Sequence, residues 1–212
     1  MKRQTLFFSA TINDKLKKVA YSVIRQSAIR IQFSPKDPVS KNISHSVAFI
    51  EMDDKRFFLE RIINENKELK ILVFVRTKVR SERVQKAMKR ANIEALCIHS
   101  GKTQEERDEA MQIFSQGTCK ILIATDISAR GIDIPNVQLV INYDLPDKAE
   151  NYVHRVGRTG RGKNKGEAIA FCSEGEKEML KEIEEYVHSK IKILDIAKAD
   201  YKDTRVLSLI HI

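Results

Sequence analysis

The segment Ile71–Val75 reads Ile-Leu-Val-Phe-Val, and the segment Ile121–Ala124 reads Ile-Leu-Ile-Ala. Every residue in these short runs is apolar, without the polar alternation of a strand that has one face in water. Such runs are typical of strands buried on both faces of a sheet. The stretches around them, for example Gln104–Gln116, have the amphipathic pattern of helices. Strands of this kind that alternate with helices predict an α/β protein with a mainly parallel sheet.

The same alternation extends over most of the chain. It predicts strands at Gln4–Phe8, Ile29–Phe33, Ser46–Ile50, Lys70–Val75, Ala95–His99, Lys120–Ala124, Gln138–Tyr143, Glu167–Phe171 and Lys190–Leu194. It predicts a helix between the first two strands and further helices at Lys55–Asn64, Ser81–Ala91, Gln104–Gln116 and Lys177–His188.

Residues 34–42 interrupt this pattern, because they are polar, contain two prolines and show no periodicity. They are interpreted as an interdomain linker. Residues 1–33 hold only two predicted strands and a helix, too few to bury a core, and are interpreted as the end of a preceding domain. Residues 43–200 then form one complete domain. Residues 201–212 form a tail, whose apolar end is interpreted as an edge strand or as foreign sequence, without a function.

The 212-residue chain is basic, with 38 Lys and Arg residues against 29 Asp and Glu residues and a net charge of +9. This excess favours a polyanionic partner, with nucleic acid ahead of a membrane surface. The sequence has no long apolar run and no signal peptide, so we expect no membrane partner and a cytoplasmic location. Cys97, Cys119 and Cys172 lack metal-ligand spacing, and we expect them to be small buried thiols in a reducing compartment.

The densest cluster of charge is Tyr152–Arg161, which reads YVHRVGRTGR. Its arginines Arg155, Arg158 and Arg161 recur every three residues, and on a helix or helical turn this spacing fans them over one side. Guanidinium groups stay charged and donate forked hydrogen bonds, which suits a phosphate chain. The alternative is a solvated basic face. The two glycines within the cluster favour the phosphate interpretation, because they weaken a helix unless a close backbone approach is needed.

A second polar cluster, Thr125–Pro135, follows a predicted strand. In a parallel sheet, ligands bind at the carboxyl ends of the strands. The Asp133 carboxylate suits ribose hydroxyls, and Thr125 with the backbone N–H of Gly131 suits a nucleic-acid phosphate. The alternative is a polar turn in which Asp126 caps a helix.

The segment Ser100–Thr103 reads SGKT and stands between a predicted strand and a predicted helix. A phosphate-binding Walker loop ends in this way, but it also needs a glycine where this chain has Leu96, so an ATP cradle is rejected. Gly101, Lys102 and the helix N-terminus suit a single backbone phosphate, with Arg107 as a second contact. In the alternative, Lys102 is solvated and Arg107 pairs with a neighbouring carboxylate.

Other signals are weaker. Ser9 and Thr11 fit a helix N-cap, and the segment 76–78 fits a capped helix start or a phosphate contact. The sequence suggests no Ser-His-Asp or Cys-His arrangement and no carboxylate pair for acid–base chemistry. His154 taken alone is more typical of a structural histidine than of a catalyst.

Taken together and in this order, these segments resemble the motifs of DEAD-box RNA helicases, which belong to superfamily two. The matching segments are Ser9–Thr11 (motif III), Leu72–Lys78 (motif IV), Gln104–Arg107 (the QxxR element), Thr125–Asp133 (motif V) and His154–Arg161 (motif VI). The resemblance covers roughly residues 3–200. It implies that residues 43–200 are the second RecA-like domain of that family, a mainly parallel sheet flanked by helices, and that residues 1–33 are the end of the first.

The resemblance also implies roles for the matched residues. Arg158 and Arg161 would be arginine fingers on the ATP γ-phosphate, Asp133 would contact the ATP ribose, and His154 would bond across the cleft to the first domain. The residues lining the RNA backbone would be Arg76, Gly101, Lys102, Arg107, Thr125 and Gly131. The residues coupling the two domains would be Ser9, Thr11, Arg130 and Arg155. The implied cofactor is ATP with Mg²⁺, and the Mg²⁺ would be held by the first domain.

Two departures bear on this resemblance. The family's His-Gly-x-Lys/Arg element is His99-Ser100-Gly101-Lys102 here, with the glycine one position later. The chain also has no Walker loop, no Q motif and no DEAD tetrapeptide. We therefore expect the C-terminal half of an ATP-dependent RNA helicase, inactive by itself. The alternatives are a stand-alone, non-enzymatic RNA-binding or regulatory module and a DNA-directed helicase of the same superfamily.

Overall fold

The chain divides into two units, residues 1–36 and residues 37–212. The structure, a computed structural model, describes residues 4–8, 14–25, 27–31, 38–129, 136–162, 164–196, 201 and 203–204.

Over its described residues, the first unit contains one helix, α1 (Asp14–Val23). The strands predicted at 4–8 and 29–33 are wrong over their described residues, 4–8 and 29–31, which form no strand. A strand needs a neighbour for its backbone hydrogen bonds, and the described part of this unit supplies none. Most of its described large apolar side chains are solvent-exposed, above all Phe8 and Ile29.

The second unit is built on a seven-stranded sheet. In chain order its elements are β1 (Ile43–Phe49), α2 (Lys55–Glu65), β2 (Ile71–Phe74), α3 (Lys78–Arg90), β3 (Leu96–Ile98), α4 (Gln104–Gln116), β4 (Ile121–Ala124), α5 (Asp126–Ala129), β5 (Leu139–Asn142), α6 (Ala149–Val156), β6 (Gly166–Cys172), a 3-10 turn (Glu174–Glu176), α7 (Lys177–Val187) and β7 (Lys192–Ile193). The order across the sheet is β3-β4-β2-β5-β6-β1-β7, and all neighbouring pairs are parallel. The predicted α/β class with a parallel sheet is confirmed.

The core lies on both faces of this sheet. Along β2, Leu72 and Phe74 belong to a cluster that includes residues of α4, α6 and α7. Ile71 and Val73 belong to a second cluster with residues of α2 and α3. Because each face of β2 is covered by helices, its sequence is apolar without alternation. The expected burial of the three cysteine thiols is confirmed, and burial raises the pKa of Cys172 to about 11.

Local capping explains where two helices begin. Helix α4 starts at Gln104, as predicted, because Thr103 and Glu106 form a capping box. Helix α3 starts three residues before the predicted Ser81, because the Thr77 hydroxyl accepts a hydrogen bond from the backbone N–H of Arg80 at 3.1 Å. Within the described ranges, no helix has both the length and the apolar composition needed to span a membrane.

Two residues that the sequence interpretation assigned to the tail contact α2. The Tyr201 ring packs against Phe58 with centroids 4.8 Å apart, and the Tyr201 hydroxyl donates to Asp54 at 3.0 Å. Arg61 donates to the Thr204 hydroxyl at 2.8 Å. The second unit therefore continues past residue 200.

Candidate functional site

The carboxyl edge of the sheet gathers most of the residues expected to bind RNA. Because all the strands are parallel, the segments that follow β3, β4 and β2 emerge at one edge. These segments carry Gly101 and Lys102, Thr125, and Arg76 respectively. The sheet therefore brings these expected phosphate contacts to the same side of the domain.

The turn after β3 is organised around His99. This histidine is buried, and its Nδ1 accepts a hydrogen bond from the backbone N–H of Gly101 at 3.1 Å. A Cβ atom at Gly101 would lie 3.1 Å from that ring nitrogen, so a larger residue would push the ring away. The histidine beneath this glycine, which stands one position later than in the family element, leaves little room for a larger residue.

Lys102 lies just before α4, and Arg107 lies on the first turn of that helix. Lys102 Nζ is 3.2 Å from Glu106 Oε1, and both side chains are partly exposed. The hydrogen bond from the Thr103 backbone N–H, and then that from Lys102, lower the pKa of Glu106. Arg107 donates to Gln104 Oε1 at 3.2 Å, so the pairing with a neighbouring carboxylate considered above is not seen among the described residues.

Thr125 and Arg76 are already engaged within the domain. The buried Thr125 hydroxyl lies 3.1 Å from the Ser128 hydroxyl, which in turn donates to the backbone carbonyl of Ile98. Arg76 donates to the backbone carbonyl of Leu145 at 3.1 Å and to Glu176 at 3.2 Å. Neither side chain extends freely from the carboxyl edge.

Sequence reasoning missed a buried polar cluster beneath this edge. Lys55, which is fully buried, donates to Glu176 at 2.5 Å and to the Tyr143 carbonyl at 2.8 Å. Glu176 also accepts hydrogen bonds from the Leu145 backbone and from Ser173. Burial would raise the pKa of Glu176, but attraction to Lys55 and hydrogen bonds from Lys55 and Ser173 outweigh it and lower that pKa. The cluster ties the segments after β5 and β6 to α2.

Arg155 is buried within the second unit. It is only 1% exposed, and it forms a forked ion pair with Asp126, Nε to Oδ1 at 2.6 Å and Nη2 to Oδ2 at 2.9 Å. Its Nη1 donates to Asn142 Oδ1 at 3.2 Å and to the Asp144 carbonyl at 2.7 Å. Four of the five N–H donors of Arg155 are engaged within the domain, and the buried guanidinium is not presented to a ligand phosphate.

The predicted fan of three arginines is therefore wrong. Helix α6 ends at Val156, so Arg155 is the one arginine of the three inside it, and it points inward. Arg158 lies in the turn that follows and is half-buried, whereas Arg161 is exposed. Helical spacing does not continue past the end of a helix, and Gly157 at the C-cap marks that end.

The turn that carries Arg158 and Arg161 lies at the opposite, amino edge of the sheet. Thr159 between them donates to the carbonyls of Val137, at 2.6 Å, and Gln138, at 3.1 Å, just before β5 begins. Gly160 has φ +66°, and a Cβ there would collide with Ile43 at the start of β1. This glycine serves packing within the domain.

The remaining expected site residues are placed as follows. His154 is half-buried on α6, next to Arg155. Ser9, Thr11, Arg130, Gly131 and Asp133 lie outside the described residues. Residues 130–135 connect α5, which follows the carboxyl end of β4, to Asn136 near the amino end of β5. Among the described residues, no group of three or more His, Cys, Asp or Glu side chains is arranged to hold a metal ion.

Of the buried residues that the sequence analysis missed, Glu176 had a recognisable sequence pattern. Ser173 and Glu176 have the spacing of a capping box, and the structure forms that box at the 3-10 turn. Lys55 had no such signal, because its partner Glu176 lies far along the chain.

Comparison with known proteins agrees with this architecture. The family described as the helicase conserved C-terminal domain matches residues 54–163. The chain is 37% identical over 193 residues to the ATP-dependent RNA helicase DbpA of Bacillus subtilis (strain 168), a match that covers 91% of this chain and 40% of that protein.

Solved structures show the same fold. Dbp5 of S. cerevisiae, bound to RNA and ADP BeF3, matches with a TM-score of 0.81 and 27% identity, over 97% of this chain and 54% of that one. A DEAD box protein from the hyperthermophile Methanococcus jannaschii matches with a TM-score of 0.70 and 34% identity, over 89% and 50%. The chain thus spans about half or less of the length of these relatives. It belongs to the helicase conserved C-terminal domain family, and its parallel sheet is the C-terminal RecA-like domain of a DEAD-box helicase of superfamily two.

Proposed function

We propose that this chain is the C-terminal half of an ATP-dependent RNA helicase, in which the second unit binds the RNA backbone and supplies arginine fingers to ATP. The observation that carries the proposal is the position of Arg155. It joins Asp126, directly after β4 at the carboxyl edge, to α6, which leads to Arg158 and Arg161. A single buried ion pair thereby connects the two groups of residues that would contact RNA and ATP.

RNA would bind along the carboxyl edge through sequence-independent contacts to phosphates. Lys102 is the best placed side chain, because its pair with Glu106 is solvent-exposed and costs little to exchange for a phosphate. The N-terminus of α4 and Arg107 would add to the positive field. Arg76 and Thr125 would act chiefly by holding the edge in shape, since their polar groups are engaged within the domain. The backbone of Gly101 and of Gly131 would complete the RNA contacts.

ATP would be contacted from the turn after α6. The guanidinium groups of Arg158 and Arg161 suit the charge that develops on the transferred phosphoryl group. Asp133 would contact the ribose, and His154 would bond to the first domain. Mg²⁺, which neutralises phosphate charge when bound, is assigned to the first RecA-like domain. In this proposal Arg155 positions the turn from within the domain, and Ser9, Thr11 and Arg130 couple the two domains.

The exposed apolar side chains of the first unit support a partner domain. Phe8 is 86% exposed and Ile29 is 90% exposed, and burying such side chains stabilises a fold by about 1.5–3 kcal/mol each. We therefore infer that this unit completes its core with the rest of a first RecA-like domain. The chain alone would then bind RNA weakly and hydrolyse no ATP.

The test of the ATP role is hydrolysis by the full-length protein that contains this chain. Arg161→Ala should lower RNA-stimulated turnover by about 10³–10⁵-fold. Binding of fluorescein-labelled single-stranded RNA in the absence of nucleotide should be unchanged. Turnover within a factor of a few of the unmodified protein would refute the finger assignment, and RNA-stimulated hydrolysis by the present chain alone would refute its dependence on a partner domain.

The test of the RNA role is fluorescence anisotropy with the chain itself. Lys102→Glu should weaken RNA binding about tenfold and reduce its salt dependence. The matched control is Lys192→Glu, which makes the same charge change on the exposed strand β7. Equal losses in the two variants would mean that net charge alone, and not the carboxyl edge, attracts the RNA. Tight RNA binding without any contribution to ATP turnover in the full-length protein would favour the stand-alone binding module.

A further inference from the structure

A groove of about 840 Å³ lies between α2 and α3, on the sheet face away from α6. Its lining includes six cationic side chains: Arg56, Arg80, Arg83, Lys86, Lys89 and Arg90. Among the described residues of that lining, Asp53 is the one that is acidic. The groove is therefore a concave surface of strongly positive charge, and its described lining contains no residue that we assign to RNA or ATP.

Over the part of the chain that the structure describes, four cations of α3 lack the ion pairs that several cations on or next to other helices form. Several cations on or next to other helices pair with a nearby carboxylate, as in Arg61–Glu65 on α2, Lys102–Glu106 at the start of α4 and Lys181–Glu178 on α7. Arg83, Lys86, Lys89 and Arg90 form no ion pair with any described residue. Cations three and four residues apart on a helix repel each other. A helix that keeps four of them together is suited to an anionic partner.

The floor of the groove is apolar. Val84 and Ala87 of α3 face it from one side, and Tyr143 and Met52 contribute from the loops after β5 and β1. Met52 is 37% exposed. Arg80 is fixed at the end near the carboxyl edge, where Nε lies 3.3 Å from Asp144 Oδ1 and the guanidinium lies over the Tyr143 ring. The groove thus combines cations along its rim with a small apolar floor, in which Val84 and Tyr143 are each only 4% exposed and Met52 is the most accessible side chain.

We propose that this groove docks an acidic peptide segment of a partner protein that carries one or two apolar anchor residues. Charge complementarity requires an anion, and clustered arginines bind acidic motifs. A peptide uses both features, because its carboxylates meet the rim and its apolar side chains gain free energy on the floor. A phosphate backbone would use only the rim. The cations from Arg80 to Arg90 extend for about 15 Å along α3, away from the turn at Gly101.

Two short fluorescein-labelled peptides test the proposal by anisotropy with the whole chain. One has Glu and Asp residues around a central Leu-Phe pair, and in the other that pair is Ser-Ser. The first peptide should bind with micromolar affinity, and the second should bind about tenfold more weakly. Lys86→Glu with Arg90→Glu should weaken binding of the first peptide by about tenfold or more. The control, Lys67→Glu with Lys192→Glu, makes the same charge change on exposed sites elsewhere and should have little effect.

The other outcomes overturn the proposal. Equal affinity for the two peptides would show that the apolar floor does not contribute to binding. Equal losses of peptide affinity in the two double variants would show that the groove is an ordinary solvated basic surface. A loss of single-stranded RNA binding in the groove variant, without measurable peptide binding, would identify a nucleic-acid surface instead. Failure of the first peptide to bind at all would equally refute the proposal. Urea midpoints equal to that of the unmodified chain establish that both double variants are folded. In NMR spectra of the unmodified chain, the first peptide should change the amide chemical shifts of α3 and of residues 52–56.

Discussion

Replacing Arg155 by methionine should destabilise the second unit severely. The side chain is buried, and the change removes donors from Asn142 Oδ1 and from the Asp144 carbonyl, two acceptors at the end of β5. It also leaves Asp126 without its ion-pair partner, although that carboxylate is 24% exposed and regains some hydration. Breaking a buried pair by removing one partner costs about 3–5 kcal/mol, a large share of the roughly 5–15 kcal/mol that holds a domain folded.

The assay is urea unfolding followed by far-UV circular dichroism. With an m-value near 2 kcal/mol/M, the midpoint should fall by about 2 M. Asp126→Ala should be at least as damaging, because it leaves a fully buried guanidinium uncompensated. The double variant should be more stable than the sum of the two single losses predicts, by about 2–3 kcal/mol. Lys181→Met, which breaks the exposed pair with Glu178, should change stability by less than about 1 kcal/mol.

Two results would refute this reasoning. A loss for Arg155→Met no larger than that for Lys181→Met would mean that the buried pair contributes nothing beyond a surface contact. Strict additivity of the two single losses would mean that Arg155 and Asp126 act independently, and the proposed connection between the two edges of the sheet would then have no energetic basis.

Three further predictions concern stability and reactivity. The pKa of Glu176 is lowered in the folded state, so its contribution to stability is present above its unfolded pKa and is lost as the pH falls through the folded pKa. The urea midpoint of the unmodified protein should therefore fall more steeply below about pH 4.5 than that of Glu176→Gln. Parallel plots of urea midpoint against pH for the two proteins would contradict this. Gly160 has a positive φ and a Cβ there would collide with Ile43, whereas Gly162 has a positive φ alone, so Gly160→Ala should lower the melting temperature more than Gly162→Ala. Gly175→Ala should leave the melting temperature nearly unchanged. Equal effects of the first two changes would mean that the contact with Ile43 does not matter for stability. Buried cysteines should react with a thiol reagent only on unfolding, and fast labelling of the native protein would disprove their burial.

The strands and helices of the second unit were predictable because their signals are local. The apolar runs at β2 and β4 and the capping box at α4 needed no knowledge of distant residues. The strands predicted in the first unit failed for the opposite reason, since an apolar run forms a strand only when another strand is beside it. The short helices α5 and α6 were not predicted as elements, because four and eight residues carry too little periodicity.

The geometry of the candidate site could not be predicted from the sequence. The motifs named candidate residues, yet they could not show that Arg155 turns inward to Asp126 while Arg158 and Arg161 follow the end of a helix. Nor could they show that Arg76 is held by Glu176, a contact between residues far apart in the chain. Which distant side chains meet in this way depends on the order of the strands in the sheet, and local sequence patterns do not reveal that order.

The position of β1 has a consequence for how this domain folds. It is the first strand of the sheet in the chain, yet its neighbours are the last two, with Ile43 beside Gly166 and Val47 beside Ile193. A nascent chain therefore cannot close the sheet until almost all of the domain has been synthesised, and contacts of such high sequence separation slow folding. A protein trimmed to the family match at 54–163 would lose β1, β6 and β7 together. Its β5 would become an open, apolar edge, which is a template for aggregation.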